Sequence, residues 1–287
     1  WGTRGSIPTP GYATQKYGGN TSCVEVRVDD SIFICDGGSG DRELGIDILR
    51  RDDHPKKFHM FFSHSHWDHI QGFPFFTPAY LPNYQLVIYG TKQGDDKIYN
   101  LLSGQMSSAY FPVDFSELQG GILSDFIGHG GRELDGVRVD YYAQPHPGGS
   151  WAFSFEKNGR KAVYATDSEI DILIENKDES VADLDAPRKL PKKLVDFVRG
   201  ADLLVSDGQY SDEEYKTKEG WGHARATTVC DLALQADVQQ LAIFHHDPMH
   251  TDDMVEDKIA VCQRRIDRLG GKVRVFGARE GVELRLD

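Results

Sequence analysis

The chain has 287 residues, 39% of them hydrophobic and 27% charged, a balance that supports one large folded core or two small ones. Its formal net charge of -13 argues against a protein that gains its main binding strength from the phosphate backbone of long nucleic acids. No run approaches the roughly 18 apolar residues of a membrane span, so no membrane partner is expected.

The chain opens on Trp1 rather than Met, as expected of a trimmed or processed start. The four cysteines, Cys23, Cys35, Cys230 and Cys262, form no C-x-x-C pair; free, partly buried thiols in a reducing, cytoplasmic compartment are expected.

In chain order, residues 2–6 read as a loop. Residues 23–28 and 31–35 alternate around Asp29-Asp30, the pattern of a β-hairpin. Asp36-Gly37-Gly38-Ser39-Gly40 breaks it, and a short helix is expected over 44–49. The apolar runs 58–62 and 86–89 predict buried strands. A helix is expected over 96–106 and an aromatic loop at 110–112. Strands are expected at 137–143, 151–156 and 161–166, the last two joined by an Asn158-Gly159 turn. Residues 183–193, with Pro187 and Pro191, predict an exposed connection into a helix near 194–198. Strands follow at 203–205 and 241–244, helices over 224–236 and 254–269, and closing strands at 273–276 and 282–286. Without strict strand–helix alternation, two mixed sheets covered by helices fit better than one doubly wound sheet.

The run His64-Ser65-His66-Trp67-Asp68-His69 follows the predicted strand at once and holds three of the chain's 11 histidines. Residues two apart in extended backbone project to one side, so His64 and His66 can chelate one cation while Asp68 and His69 turn toward a second. His146, Asp167 and His245 each stand at the end of a predicted strand. Together they offer a further ligand for each cation and a carboxylate able to bridge. Ligands of these types suit Zn²⁺ and also Mn²⁺.

The order H-x-H-x-D-H, a lone histidine, Thr-Asp after a strand, then a histidine after a late strand resembles the metallo-β-lactamase superfamily over nearly the whole chain. The resemblance implies a four-layer αββα sandwich in a single domain, 1–287. It implies that His64, His66 and His146 hold one metal, that Asp68, His69 and His245 hold the other, and that Asp167 bridges them. His66 stands where the oxygen-reducing diiron branch has a glutamate, and Asp167 sets the chain apart from true β-lactamases. Gly222-His223 resembles the Gly-His-Ser/Thr element of ribonuclease Z-like enzymes, whose histidine protonates the leaving oxygen, although Ala224 and Arg225 follow here. Residues 17–23 and Phe244-His245-His246-Asp247-Pro248 also resemble bacterial members of that branch, including cyclic-nucleotide phosphodiesterases. His245 rather than His246 is expected as the ligand, from the phase of the strand.

The expected function is hydrolysis of a small phosphodiester, a cyclic nucleotide among them, with Asp68 and His223 as catalytic groups. Two divalent cations offset by Asp68 and Asp167 keep a positive centre that suits a phosphodiester monoanion on an acidic protein. The alternatives are thioester or lactone hydrolysis of the glyoxalase II type, RNA 3'-end processing, and a metal-stabilised binding module without turnover. Homodimerisation is implied by family analogy.

Other features read as structural. Residues 36–40 lack the Lys-Ser/Thr of a phosphate loop, and Asp36 is expected to accept a hydrogen bond from a ligand histidine. Asp212-Glu213-Glu214 and the basic run Arg188, Lys189, Lys192 and Lys193 are expected on the surface. Phe73, Phe75, Phe76, Tyr110 and Phe111 are core or pocket aromatics. Residues 91–131, lacking periodicity, are expected to form a lid or a contact between copies.

Overall fold

The computed structural model describes residues 1–90, 97–182 and 186–286. The first sheet has the order β1 (Val24–Val28), β2 (Ser31–Cys35), β3 (Lys57–Phe61), β4 (Gln85–Gly90) and β5 (Gly121–Phe126). Its opening hairpin is antiparallel and the rest is parallel. Seven strands form the second sheet: β6 (Arg132–Leu134), β7 (Val137–Gln144), β8 (Ser150–Lys157), β9 (Arg160–Ala165), β10 (Leu203–Asp207), β11 (Gln240–Phe244) and β12 (Arg274–Gly277). Strands β6 to β9 alternate in direction, whereas β9 to β12 run parallel.

The apolar runs explain the layering. Side chains alternate across a strand, and a strand buried on both faces reads as continuous hydrophobicity. Phe33 and Cys35 of β2, Phe61 of β3, and Ala242 and Phe244 of β11 fill the space between the sheets. Ile32, Ile34, Phe58 and Met60 face outward beneath α1 (Gly40–Arg50) and the Phe73–Phe76 turns. Leu241 and Ile243 face the opposite outer layer. That layer contains α5 (Lys192–Val198), α7 (Ala226–Gln235) and α8 (Asp252–Arg268). The shorter helices are α2 (Trp67–Ile70), α3 (Lys97–Gln105), α4 (Lys177–Ala182) and α6 (Asp212–Tyr215). The result is an αββα sandwich.

Helix α8 shows how local chemistry sets an element. The Thr251 hydroxyl accepts from the Met254 N–H, Asp252 and Asp253 occupy the first turn, and Arg265 and Arg268 the last. Val255, Cys262 and Ile266 are buried at helical spacing.

Several sequence expectations are corrected. Residues 282–286 form no strand; their alternation is present, but among the described residues no strand pairs with them, and Glu283 instead meets Arg27 at 2.8 Å. Arg188 is not a surface residue. It is buried and donates to Thr227 at 2.9 Å and Asp212 at 2.8 Å, whereas Lys189, Lys192 and Lys193 are exposed. Asp212 is correspondingly half-buried, and Glu214 caps its helix and meets His250. Phe73 and Phe76 are core, while Phe75 and Tyr110 are exposed. All four cysteines are buried. Of residues 91–131, residues 91–96 lie outside the described residues, as do 183–185 of the polar connection. Residues 121–126 add β5 to the edge of the first sheet, where exposed side chains mask the strand pattern. Among the described residues, no helix is long and apolar enough to cross a membrane.

Candidate metal centre

Strands β7, β9, β10 and β11 all point the same way, because β8 reverses the chain between β7 and β9. Residues just past their ends therefore collect along one edge: His146 after β7, Asp167 after β9, Asp207 closing β10, and His245 after β11. Across the sandwich, Asp36 follows β2, and His64 follows β3. Asp36, Asp167 and His245 have φ of 60°, 48° and 57°, a left-handed backbone that costs about 1 kcal/mol or more each. At His245 this turn breaks the strand alternation and swings the ring into the site.

Three ligand-like clusters overlap there among the described residues, one of them formed by Asp167, Asp207, His223 and His245; the other two match the expected ligand sets. His64, His66, His146 and Asp167 form one, and Asp68, His69, Asp167 and His245 the other; within each, one donor atom per residue lies within 4.8 Å of the rest. Asp167 belongs to both. It approaches His64 Nε2 at 3.5 Å and His146 Nε2 at 3.7 Å through Oδ2, and His69 and His245 Nε2 at 3.1 Å through Oδ1. Every residue expected at the centre is thus brought to it. His246 is not: its Nε2 faces the Ala278 carbonyl at 2.9 Å, and its ring packs on Tyr17.

The rings are held from behind. The Asp36 carboxylate lies 2.8 Å from His69 Nδ1 and also accepts from the Ser63 N–H, the Ser63 hydroxyl and the Tyr164 hydroxyl. Since an ionised carboxylate only accepts, His69 carries a proton on Nδ1, which leaves Nε2 as the nitrogen that a cation would engage in place of a proton. His146 Nδ1 donates to the Gly222 carbonyl at 2.8 Å, with the same effect. His64 Nδ1 sits 3.0 Å from the Ser63 hydroxyl, whose own hydrogen goes to Asp36. Asp68 is anchored by the Ser6 N–H at 2.7 Å.

The donor set fits divalent cations. His64 Nε2 and His69 Nε2 are buried without a well-formed hydrogen bond, and their nearest polar neighbours are the carboxylate oxygens of Asp167 and Asp68, the arrangement a shared cation would satisfy. Burial, aided by the nearby His69, pushes the His64 imidazolium down to about 2, so the ring is a neutral donor. Burial opposes ionisation of Asp68 and Asp167, but the surrounding imidazoles hold both carboxyls well below the ordinary range. Burial likewise disfavours charge on His69, but Asp167, Asp68 and Asp36 outweigh it and push the ring well up. A buried cluster of this composition calls for positive charge.

His223 stands beside those two clusters. Its Nδ1 is 2.8 Å from Asp207 Oδ2 and 4.0 Å from Asp167 Oδ2. Burial works against charge, but Asp207 dominates and lifts the ring to about 9, so it is protonated at neutral pH. Sequence reading missed Asp207 and Gln209, whose side chain meets His245 Nδ1 at 2.9 Å, because neither lies in a ligand-like spacing. Their only signal was their place just past a predicted strand, where the other site residues also stand. A cleft of about 160 Å³ adjoins His64 and His66, lined among others by Phe62, Tyr89, Trp151 and Gly149.

Residues 47–246 match the family model described as the Beta-lactamase superfamily domain. Ribonuclease Z of Brevibacillus brevis is 27% identical over 139 residues, covering 47% of this chain and 33% of that protein, so the match spans a third of that relative. Ribonuclease Z of Shouchella clausii is 25% identical over 225 residues, covering 65% of this chain and 68% of that protein. Among solved structures, the metallo-beta-lactamase fold protein YhfI from Bacillus subtilis superposes with a TM-score of 0.65 at 17% identity, covering 96% of this chain and 93% of that one.

Proposed function

Taking as premise that the chain belongs to the metallo-β-lactamase superfamily, we propose that it is a metal-dependent hydrolase of a small phosphodiester, with a cyclic nucleotide as the first candidate. The observation that carries this reading is the pair of clusters sharing Asp167, with a protonated His223 beside them. His64, His66, His146 and Asp167 would hold one cation, and Asp68, His69, Asp167 and His245 the other. Bound divalent cations, Zn²⁺ or Mn²⁺, would supply water activation at neutral pH and positive charge for the phosphoryl oxygens.

The chain's own groups supply the rest. Asp68, kept ionised and anchored by Ser6, is placed to orient the attacking water or take its proton. His223 donates a proton to the leaving oxygen, with Asp207 fixing its Nδ1 side. An alkoxide needs that proton, whereas a thiolate leaves readily, which favours a diester over a thioester. The cleft beside His64 and His66 suits a small substituent of the substrate.

The Ribonuclease Z relatives favour a second reading, an RNA substrate. The net charge of -13 favours the small substrate over it.

Metal content, followed on the same sample by turnover of bis-(p-nitrophenyl) phosphate, a cyclic nucleotide, a short RNA and a thioester, tests the proposal. About two metals per chain with metal-dependent cleavage of the small diesters is expected. Thioester turnover alone would overturn the phosphodiesterase reading, and RNA cleavage without small-diester turnover would favour the second one.

A further inference from the structure

The two rings of the second cluster are held differently. His69 leans on a carboxylate, Asp36, while His245 leans on the neutral amide of Gln209, with Nδ1 2.9 Å from Oε1. An amide presents an acceptor at one end and a donor at the other, so by itself it can hold either form of an imidazole. Here its direction is set. Gln209 Nε2 donates to Asp247 Oδ2 at 3.3 Å, and that buried carboxylate can only accept. Asp247 is fixed in turn by the Met249 N–H at 2.8 Å and the Lys218 ammonium at 3.0 Å. The Gln209 backbone is pinned too: its N–H donates to Asp207 Oδ1 at 3.0 Å, and its carbonyl accepts from the buried Lys258 ammonium at 2.9 Å.

From this chain of contacts we infer that Gln209 is a positioning residue that fixes the proton of His245 on Nδ1, and that Asp247 enforces this by dictating which way the Gln209 amide faces. The consequence reaches the centre. With a proton on Nδ1, His245 Nε2, which faces the Asp68 and Asp167 carboxylates at 3.2 and 3.1 Å, is the nitrogen left to give a lone pair to a cation held between them. Were the amide reversed, Nδ1 would have to accept, and the proton would move to Nε2, the atom the second cation needs. Loss of such support behind a ligand histidine costs about 10–100-fold in metal affinity. The short segment from Asp207 to Gln209 therefore steadies two functional rings at once, His223 through a carboxylate and His245 through an amide. The inference rests on the two-cation reading above, but its first readout does not need a cation.

Nitrogen-15 NMR of the His245 ring in metal-free protein reads the tautomer directly. Wild type is expected to carry a proton on Nδ1, beside whatever proton Nε2 shares with the Asp68 and Asp167 carboxylates, and Gln209→Leu and Asp247→Ala to lose it. Metal titration of the same proteins is expected to leave the first site unchanged and to weaken the second about 10–100-fold in both variants. The exchange variant Gln209→Glu/Asp247→Asn keeps an acceptor toward His245 and a donor behind it, and is expected to restore tautomer and second-site affinity. A generally damaged fold would not be rescued by that exchange. An Nδ1 proton retained in Gln209→Leu, or an exchange variant as defective as the single ones, would overturn the inference. A wild type with the expected tautomer that binds no cation would instead overturn the metal-centre reading.

Discussion

His223 acquires its proposed role from its carboxylate neighbours, Asp207 first. An exposed histidine is mostly neutral at pH 7; burial works further against charge here, but the Asp207 carboxylate at 2.8 Å, with Asp167 and Asp68 behind it, outweighs burial and keeps this ring protonated. His223→Ala is expected to slow an alkyl or nucleoside diester by roughly 10²–10⁴-fold. The loss on bis-(p-nitrophenyl) phosphate should be smaller, because p-nitrophenolate leaves without a proton. Equal losses on both substrates, measured as kcat at saturating metal, would count against the acid role. Gly222 matters for a steric reason. Its φ is +93°, and a Cβ there would lie 2.4 Å from His146 Nδ1, the atom that donates to the Gly222 carbonyl. At Gly220 φ is +84°, but a Cβ would meet nothing within 4 Å. Gly220→Ala should therefore cost about 1 kcal/mol in urea unfolding, from backbone strain alone. Gly222→Ala should cost more and also weaken the first cation site, as read by metal titration.

Helix α8 carries chemistry that its apolar spacing conceals. On its inner face Arg265 grips both oxygens of Asp231 at 2.7 Å, and Lys258 reaches the Gln209 carbonyl. Burial depresses the Lys258 ammonium to about 8 from its usual 10.5, against the pull of Glu214, Asp247 and Asp207. Above pH 8 the folded chain has released this proton, while the unfolded chain keeps it up to about 10.5. The unfolded state therefore binds more protons across that window, and the contribution of Lys258 to stability rises with pH. Relative to Lys258→Met, wild type should gain up to about 3 kcal/mol between pH 7 and pH 10.5 in paired denaturation curves. A pH-independent difference would show that the lysine is not titrating in the folded state.

At the scale of the molecule, an acidic chain folds so that carboxylates and imidazoles of both sheets converge on one edge. A ligand that binds only the folded state stabilises it by about 2.7 kcal/mol when present at 100 times its dissociation constant. Zn²⁺ or Mn²⁺ at that excess is expected to raise the thermal midpoint by several degrees over chelator-treated protein. An unchanged midpoint would argue that the clusters hold no cation.

Much of this was legible in the chain itself, because the signals are local. Alternation and apolar runs marked most strands, Asn158-Gly159 marked a hairpin, and the crowding of His64, His66, Asp68 and His69 behind a strand marked the centre. His146, Asp167 and His245 were visible as polar residues closing strands. What the sequence could not decide depends on neighbours far away along the chain. The edge strand β5 hides because exposure erases its pattern, and residues 282–286 alternate without a partner to pair with. Arg188 reads as surface until the carboxylates of Asp212 and Asp231 close around it. The separation of His245 from His246 follows from one left-handed backbone angle, and the parts of Asp207 and Gln209 follow from β10 lying beside β11. Periodicity and motif spacing are properties of a segment and survive in one dimension. Which proton sits on which nitrogen is set by contacts through space, and only the folded chain specifies those.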